Sequence, residues 1–287
     1  MPSVLRTGCF AWFVAATLGG CHSVAPTSTD ALDKLLKPVA LTPDKVLLEV
    51  YQIRVSPAQR AAADAAWAAA DEQVLSPELR TKLLANGLRA GVVGTAMPSE
   101  LTKLLNPDGS ASTPNSGEQL ITQKSISPPA AKRIEQLRSH EEMTVLVNEV
   151  RDSLSLLISD DSVRGRTYSQ VQTAYVVKAA AEPGQQVVVR VTPELQYGEI
   201  RNRYQGRSDQ GIFMYTPSRE RESYPQLAIE AKLAPGESLL LGGLADSAGS
   251  LGHALHGSVA KDEAVGESRL VLVRVAKVPD SEILAER

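Results

Sequence analysis

The sequence is poor in cysteine and in aromatic residues, and it has little excess charge of either sign. Two cysteines in 287 residues exclude a disulfide framework and any multi-cysteine zinc or iron–sulfur site. The formal net charge is −3, and both signs are spread along the chain. This balance excludes a dedicated nucleic-acid-binding surface and a strongly acidic tail. A chain of this length buries a sizeable core, so folding requires no metal or disulfide.

Hydrophobic runs of membrane-spanning length are also lacking. The apolar run CFAWFVAATL, from Cys9 to Leu18, is too short to cross a hydrocarbon core of about 30 Å, which needs roughly 20 apolar residues. With Arg6 before it, this run is typical of an export signal. We therefore expect a soluble body behind a cleaved signal, with no spanning segment after it.

The export signal ends in a sequence that carries a lipidation motif, LGGC at residues 18–21. It resembles the lipobox of bacterial lipoproteins, in which the cysteine thiol receives diacylglycerol and the chain is cut before that cysteine. The resemblance implies that residues 1–20 are removed and that acyl chains on Cys21 anchor the protein stably. His22, in place of aspartate, implies outer-membrane sorting. The alternative is an ordinary signal peptide with a chance cysteine.

The first half of the mature chain predicts a tether and then a small α/β unit. Residues 21–44 are rich in Ser, Thr and Pro, which is typical of a tether. Residues 45–105 predict the order strand–helix–helix–strand–helix. Ser56-Pro57 and Ser76-Pro77 are helix-start signals, Gln59 completes a capping box with Ser56, and Asn86-Gly87 is a stop signal. The expected strands cover 46–55 and 88–93, and the expected helices cover 57–74, 77–86 and 98–105.

The second half of the chain differs from the first in composition and in its hydrophobic pattern. Residues 106–128 are rich in Gly, Ser, Pro and Asn and predict a flexible linker. Residues 129–279 carry a series of short aliphatic runs separated by turn signals, although the segment to Arg138 fits either a helix or a strand. In LAIEAKL at 227–233 apolar residues alternate with Glu230 and Lys232, which predicts a half-exposed antiparallel strand. The tail is 280–287. The sequence therefore predicts an α+β fold, in which a small N-terminal α/β unit precedes a mainly antiparallel β domain.

The β half resembles a known domain. The segments VTPEL at 191–195, PQLAIEAKL at 225–233, PGESLLLGGL at 235–244 and LVLV at 270–273 are similar to successive strands of the secretin domain. Secretins are outer-membrane channels of secretion and pilus systems, built as rings of identical subunits. The resemblance covers residues 143–278 and implies a homo-oligomer or a partner in an envelope or secretion complex. A plain antiparallel sheet with a Pro-Gly turn gives much of the same pattern.

Two departures from the secretin pattern bear on function. Residues 245–261 contain no proline and no aromatic residue where secretins have part of the gate and rim. Arg269 follows Ser268 where secretins favour an acidic residue. These differences predict a diverged copy of the domain that does not form a channel.

Tyrosine and arginine are concentrated between residues 197 and 224. Such mixing predicts a candidate interaction surface, because both residue types are common at binding hot spots. Cross-strand Tyr/Arg pairs on an exposed hairpin explain the same pattern without a ligand. The candidate residues are Tyr197, Arg201, Arg203, Tyr204, Phe213 and Tyr215.

Catalytic and metal-binding motifs are weak. His253 and His256 lie three residues apart in what the flanking glycines predict to be a loop, with no carboxylate in the motif. Ser258 and Lys261 match an S-x-x-K pattern without its companion motifs. We expect no enzymatic activity, no cofactor and no metal.

These observations predict a non-enzymatic, lipid-anchored outer-membrane protein facing the periplasm. Its expected role is structural or in assembly, within an envelope or secretion complex. Its partners are then membrane lipid at Cys21 and either further copies of itself or an envelope protein, and not nucleic acid. The alternative is a periplasmic glycan- or peptide-binding lipoprotein that uses the hairpin at 197–224.

Overall fold

A computed structural model describes residues 45–106, 130–139, 141–160, 162–207, 212–257 and 266–279, with backbone only for 203–216. The described chain is mostly antiparallel sheet with a few short helices. The predicted α+β class is thereby confirmed. No helix within these ranges is long and apolar enough to cross a membrane.

The first part of the chain follows the predicted order of elements. These are β1 (Lys45–Val55), a 3-10 turn (Pro57–Gln59), α1 (Arg60–Ala68), α2 (Pro77–Ala85), β2 (Leu88–Val93) and α3 (Ser99–Leu105). The predicted capping interaction is present, because the backbone N–H of Ser56 donates to Oε1 of Gln59 over 3.1 Å. Helix α1 ends six residues before its predicted end at Val74. The backbone of Asp71 instead exchanges two hydrogen bonds with that of Val92 on β2.

The rest of the chain is built from strands and one short helix. These are β3 (Ala130–Arg138), β4 (Glu142–Leu146), β5 (Arg151–Ser159), β6 (Val163–Glu182), β7 (Gln186–Arg207), β8 (Ile212–Ser223), β9 (Ile229–Leu233), β10 (Ser238–Gly243), α4 (Leu251–His256) and β11 (Ser268–Lys277). The ambiguous segment before Arg138 is therefore a strand. Strand β9 has the predicted alternation, with Ile229, Ala231 and Leu233 buried.

A five-stranded sheet joins the beginning of the described chain to its end. Its order is β2-β10-β11-β1-β3, and every pair in it is antiparallel. The segments 45–105 and 129–279, expected to be separate domains, thus share one sheet, and their described residues belong to one compact unit. The aliphatic runs of β10 and β11 are buried on both faces, as expected where both faces of a sheet are covered by other elements.

A second sheet packs against the first. Its main order is β4-β6-β7-β8, while β5 pairs with the first half of β6 and β9 pairs with the start of β7. The main core lies between the sheets, with Leu48 and Val50 from the first and Val177 and Val189 from the second. The segments that resemble a secretin are divided between the sheets: β7 and β9 belong to the second, and β10 and β11 to the first.

Candidate functional site

Strands β6 and β7 are unusually long and separate from each other part-way along. They contain 20 and 22 residues, whereas strands of five or six are most common. They pair with each other only where residues 172–182 face 186–196. Beyond that region β6 pairs with β5 and β7 pairs with β8. Two hairpins therefore leave the sheet at the same end.

Irregular backbone marks the point of separation. Gln170 on β6 has φ 49° and Gly198 on β7 has φ 76°, both in the left-handed region. The register between β7 and β8 also shifts between Tyr197 and Arg201. The guanidinium of Arg219 donates to the carbonyl oxygen of Gln170 over 3.0 Å and also to that of Gly198. Such bulges bend a strand and change the direction of the chain beyond them.

A cluster of aromatic and charged side chains lies at this separation, formed by Tyr168, Tyr197, Arg166 and Glu222. The rings of Tyr168 and Tyr197 meet edge to face, with centroids 5.1 Å apart. The guanidinium of Arg166 lies 4.8 Å and 5.3 Å from those two ring centroids. It also pairs with Glu222 over 2.8 Å, and Tyr168 donates its hydroxyl to the same carboxylate over 3.0 Å.

Burial affects the chemistry of the tyrosines here. Tyr168 and Tyr224 are each only 4% exposed. Desolvation raises the pKa of Tyr168, and its hydrogen bond to Glu222 raises the pKa further. The pKa of Tyr224 is also raised, mainly by burial. Both phenols are thus neutral hydrogen-bond donors rather than nucleophiles or bases at physiological pH.

A cavity of about 360 Å³ adjoins this cluster. Leu156 and Ile158 form an apolar part of its wall, and Arg164, Glu222 and Gln226 contribute polar groups. Tyr168, Tyr224 and Arg166 also line the cavity, so it combines aromatic rings with guanidinium and amide groups.

Of the predicted surface residues, Tyr197 and Arg201 have described side chains, and these two lie in different surroundings. Tyr197 packs at the separation point, whereas Arg201 is exposed farther along the hairpin, beside Ile200, which is 62% exposed. In the backbone register Tyr204 faces Tyr215. Arg203 faces Thr216 and Phe213 faces Gly206 in the same ladder, and the side chains of 203–216 lie outside the described part.

Sequence reasoning missed Arg166, Tyr168 and Glu222. Arg166 and Tyr168 lie about thirty residues before Tyr197 in the chain, outside the stretch that was rich in tyrosine and arginine. The pairing of β6 with β7, which ends at Gln172 opposite Gln196, brings them near Tyr197, and the pairing of β7 with β8 adds Glu222. Cys21 and the segment from Ser258 to Lys261 lie outside the described residues.

The histidine pair differs from its predicted setting, because His253 and His256 belong to helix α4 and not to a loop. Ser250 begins this helix by accepting a hydrogen bond from the backbone of His253. His256 is 1% exposed, its Nε2 lies 2.7 Å from the hydroxyl of Tyr175, and its Nδ1 lies 2.9 Å from the carbonyl oxygen of Arg269. Both ring nitrogens therefore already have protein partners.

Desolvation lowers the pKa of His256 to about 4, so this imidazole is neutral at physiological pH. Among the described residues, no group of three or more His, Cys, Asp and Glu side chains is placed to hold a metal ion. The arrangement fits a structural role for His256 inside the core.

The end of helix α4 is capped by side chains from other elements. The amide of Asn148 donates to the carbonyl oxygens of Ala254 and Leu255, each over 2.8 Å, and Arg151 donates to Ala254 over 3.1 Å. Arg269 bonds the carbonyl oxygen of Val147 over 2.8 Å. The contacts of Asn148 and Arg151 satisfy carbonyl groups that a short buried helix leaves open. Arg269 also donates to the side-chain oxygen of Asn148 and so holds that capping amide in place. The departure from the secretin pattern at Arg269 thus has a structural use.

The Gly-Gly pair of the secretin-like segment also has a packing explanation. A Cβ on Gly242 would lie 2.6 Å from the ring of Trp67, and one on Gly243 would lie 2.9 Å from the carbonyl oxygen of Gly252. Helices α1 and α4 therefore approach β10 too closely for any side chain there. Close packing alone explains both glycines.

No protein-family model matches the chain, and neither a curated protein nor a solved structure shows significant similarity to it. Its function must therefore be inferred from its own residues and their geometry.

Proposed function

We propose that this protein is a non-enzymatic, lipid-anchored assembly protein of the bacterial outer membrane that associates with further copies of itself. The observation that supports this most directly is the hairpin formed by residues 201–207 of β7 and 212–218 of β8, here called the outer hairpin. Within the described residues, β8 pairs only with β7.

An unaccompanied two-stranded ribbon is at best marginally stable in water. Its outer edge also presents backbone N–H and C=O groups that can pair with another chain. The outer hairpin is rich in arginine and aromatic residues, the types that dominate protein interfaces. A protein partner would supply a neighbouring strand, so an assembly role explains why β8 pairs only with β7 among the described strands.

The anchor part of the proposal depends on the LGGC motif at residues 18–21. A lipid on Cys21 and a tether over 22–44 would hold the compact unit near the membrane, since β1 begins at Lys45. Copies confined to one membrane surface meet far more often than free copies do, which favours self-association. The resemblance to secretins supports the same kind of complex, a ring of identical subunits.

A second candidate function is binding of a periplasmic peptide or glycan. The cavity of about 360 Å³ beside Tyr168 and Glu222 favours it, because ligand sites combine an apolar wall with a few convergent polar groups. However, Glu222 is already bonded to Arg166 and Tyr168, so a ligand would have to displace an internal ion pair.

The decisive experiment measures the mass of the lipidated full chain in detergent, by size exclusion with light scattering. We expect a discrete assembly, and we expect the double variant Tyr204→Ser/Tyr215→Ser to shift it towards the monomer. Replacing the exposed ion pair Arg190 and Glu230 with alanine, on β7 and β9 away from the outer hairpin, is the control. A wild-type protein that is monomeric at all concentrations would contradict the proposal.

A further inference from the structure

An apolar groove lies on the surface where three parts of the fold meet. It has a volume of about 640 Å³ and contains Leu84, Leu157 and Val163, which are 49%, 54% and 70% exposed. These belong to helix α2, strand β5 and strand β6, and the loop 244–250 forms the remaining wall. Apolar side chains gathered at one exposed site typically mark an interaction surface.

Hydrogen bonds hold the walls of this groove together. The backbone N–H of Leu157 donates to the carbonyl oxygen of Gly249 over 2.8 Å. The backbone N–H of Ser159 donates to Oδ1 of Asn86 over 2.9 Å, and the Asn86 amide donates back to the Ser159 carbonyl oxygen over 2.6 Å. Asn86 is fully buried. The groove is therefore preformed, which lowers the entropic cost of binding.

Charge indicates what the groove accepts. Asp246 is exposed and is the one charged residue among those that line it, so the groove is weakly negative. The outer hairpin has the opposite charge, because residues 201–218 contain three arginines and one aspartate, which gives +2. The same hairpin contains the apolar run IFMY at residues 212–215. The hairpin therefore complements the groove in charge, and both contain apolar residues.

We propose that the groove is the docking site for the outer hairpin of a second copy of this chain. This inference rests on the self-association proposed above and adds which two surfaces meet. The contact is heterologous, since a hairpin on one copy occupies a groove on the next. Repeated contacts of this kind close into a ring or continue as a filament. A two-fold dimer would instead place two identical surfaces together.

The first test compares the assembled mass of the lipidated full chain with that of the variants Leu84→Glu and Val163→Glu. Both side chains are exposed, so the substitutions leave the core intact, and we expect loss of the assembly to monomers. The matched control is Val74→Glu, because Val74 is 47% exposed outside the groove. An assembly that survives both groove substitutions overturns this inference alone. A monomeric wild type overturns the proposed function together with it.

The second test identifies the surface that occupies the groove. In the mature lipidated chain, Cys9 has been removed with the signal and the thiol of Cys21 carries the lipid. An introduced cysteine therefore has no native thiol competing with it. Membranes containing both Val163→Cys and Phe213→Cys chains are oxidised, and we expect a cross-linked heterodimer that neither variant forms alone. Cross-linking of Val163→Cys with itself would show two grooves in contact, and that of Phe213→Cys with itself two hairpins. Either result, or no cross-link, contradicts the inference.

Discussion

Arg219 donates a hydrogen bond from Nη1 to the backbone carbonyl oxygen of Gln170, over 3.0 Å. Gln170 has φ 49°, an uncommon conformation for a residue with a side chain. Since Arg219 lies on β8 and Gln170 on β6, the bond ties one hairpin to the bend of the other. It fixes the direction in which the outer hairpin leaves the sheet.

Replacing Arg219 with alanine should loosen the outer hairpin selectively. A hydrogen bond to a charged group contributes about 1.5–3 kcal/mol to stability. We therefore expect residues 212–218 of β8 to lose protection from amide hydrogen exchange while β11 keeps its protection. Arg190→Ala is the control, because Arg190 forms an exposed ion pair with Glu230. Equal loss of protection in both strands would show that Arg219 supports the whole fold instead.

Acidification should weaken the fold through His256. Its pKa is about 4 in the folded protein and about 6.5 in the unfolded chain, so the folded state binds protons less readily. The resulting stabilisation is present above pH 6.5 and is lost as the pH falls towards 4. Since one pKa unit corresponds to about 1.4 kcal/mol, the loss is of the order of 3 kcal/mol.

This pH dependence is measured by urea unfolding at pH 7, 5 and 4. The variant His256→Asn should be less stable at pH 7, because the bond to Tyr175 is lost, and should lack most of the decline on acidification. A variant that declines as steeply as the wild type would exclude His256 as the cause.

Substitution of Gly242 should destabilise the five-stranded sheet. An added methyl group would lie 2.6 Å from the Trp67 ring, and overpacking of this kind costs about 1–3 kcal/mol. Thermal or urea unfolding of Gly242→Ala measures the loss. Gly94→Ala is the matched control, since nothing lies within 4 Å of a Cβ there. Similar stability of the two variants would refute the packing explanation for the Gly-Gly pair.

The anchor is tested by Cys21→Ser. We expect this variant to lose association with membranes, because the lipid is attached through the cysteine thiol and serine has none. Cell fractionation after high-salt washing measures it, and Cys9→Ser serves as the control within the signal. If Cys21→Ser still sediments with membranes after washing, another part of the protein holds it there.

Local sequence signals predicted local structure well. Ser56-Pro57 and Ser76-Pro77 start helical segments where expected, and Asn86-Gly87 ends α2. The alternation around Glu230 and Lys232 marked β9 correctly. Predictions from these features succeed because capping, proline placement and alternation depend on residues only a few positions apart.

Such local signals did not predict contacts between distant parts of the chain. The pattern around His253 predicted a loop, yet Asn148 and Arg151, about a hundred residues earlier, cap helix α4 there. Likewise, α1 ends early because Asp71 pairs with Val92. In both cases the deciding partner is remote in the sequence.

The sequence by itself determined the α+β composition, the order of strands and helices in residues 45–105, and the expectation of an export signal with a lipidation cysteine. Only the tertiary structure decided that β1 and β2 complete the sheet of β10 and β11, and that Arg166 and Tyr168 meet Tyr197. It also decided that the two hairpins separate at Gln170 and Gly198. The physical reason is that strand pairing joins segments whose spacing along the chain leaves no local pattern.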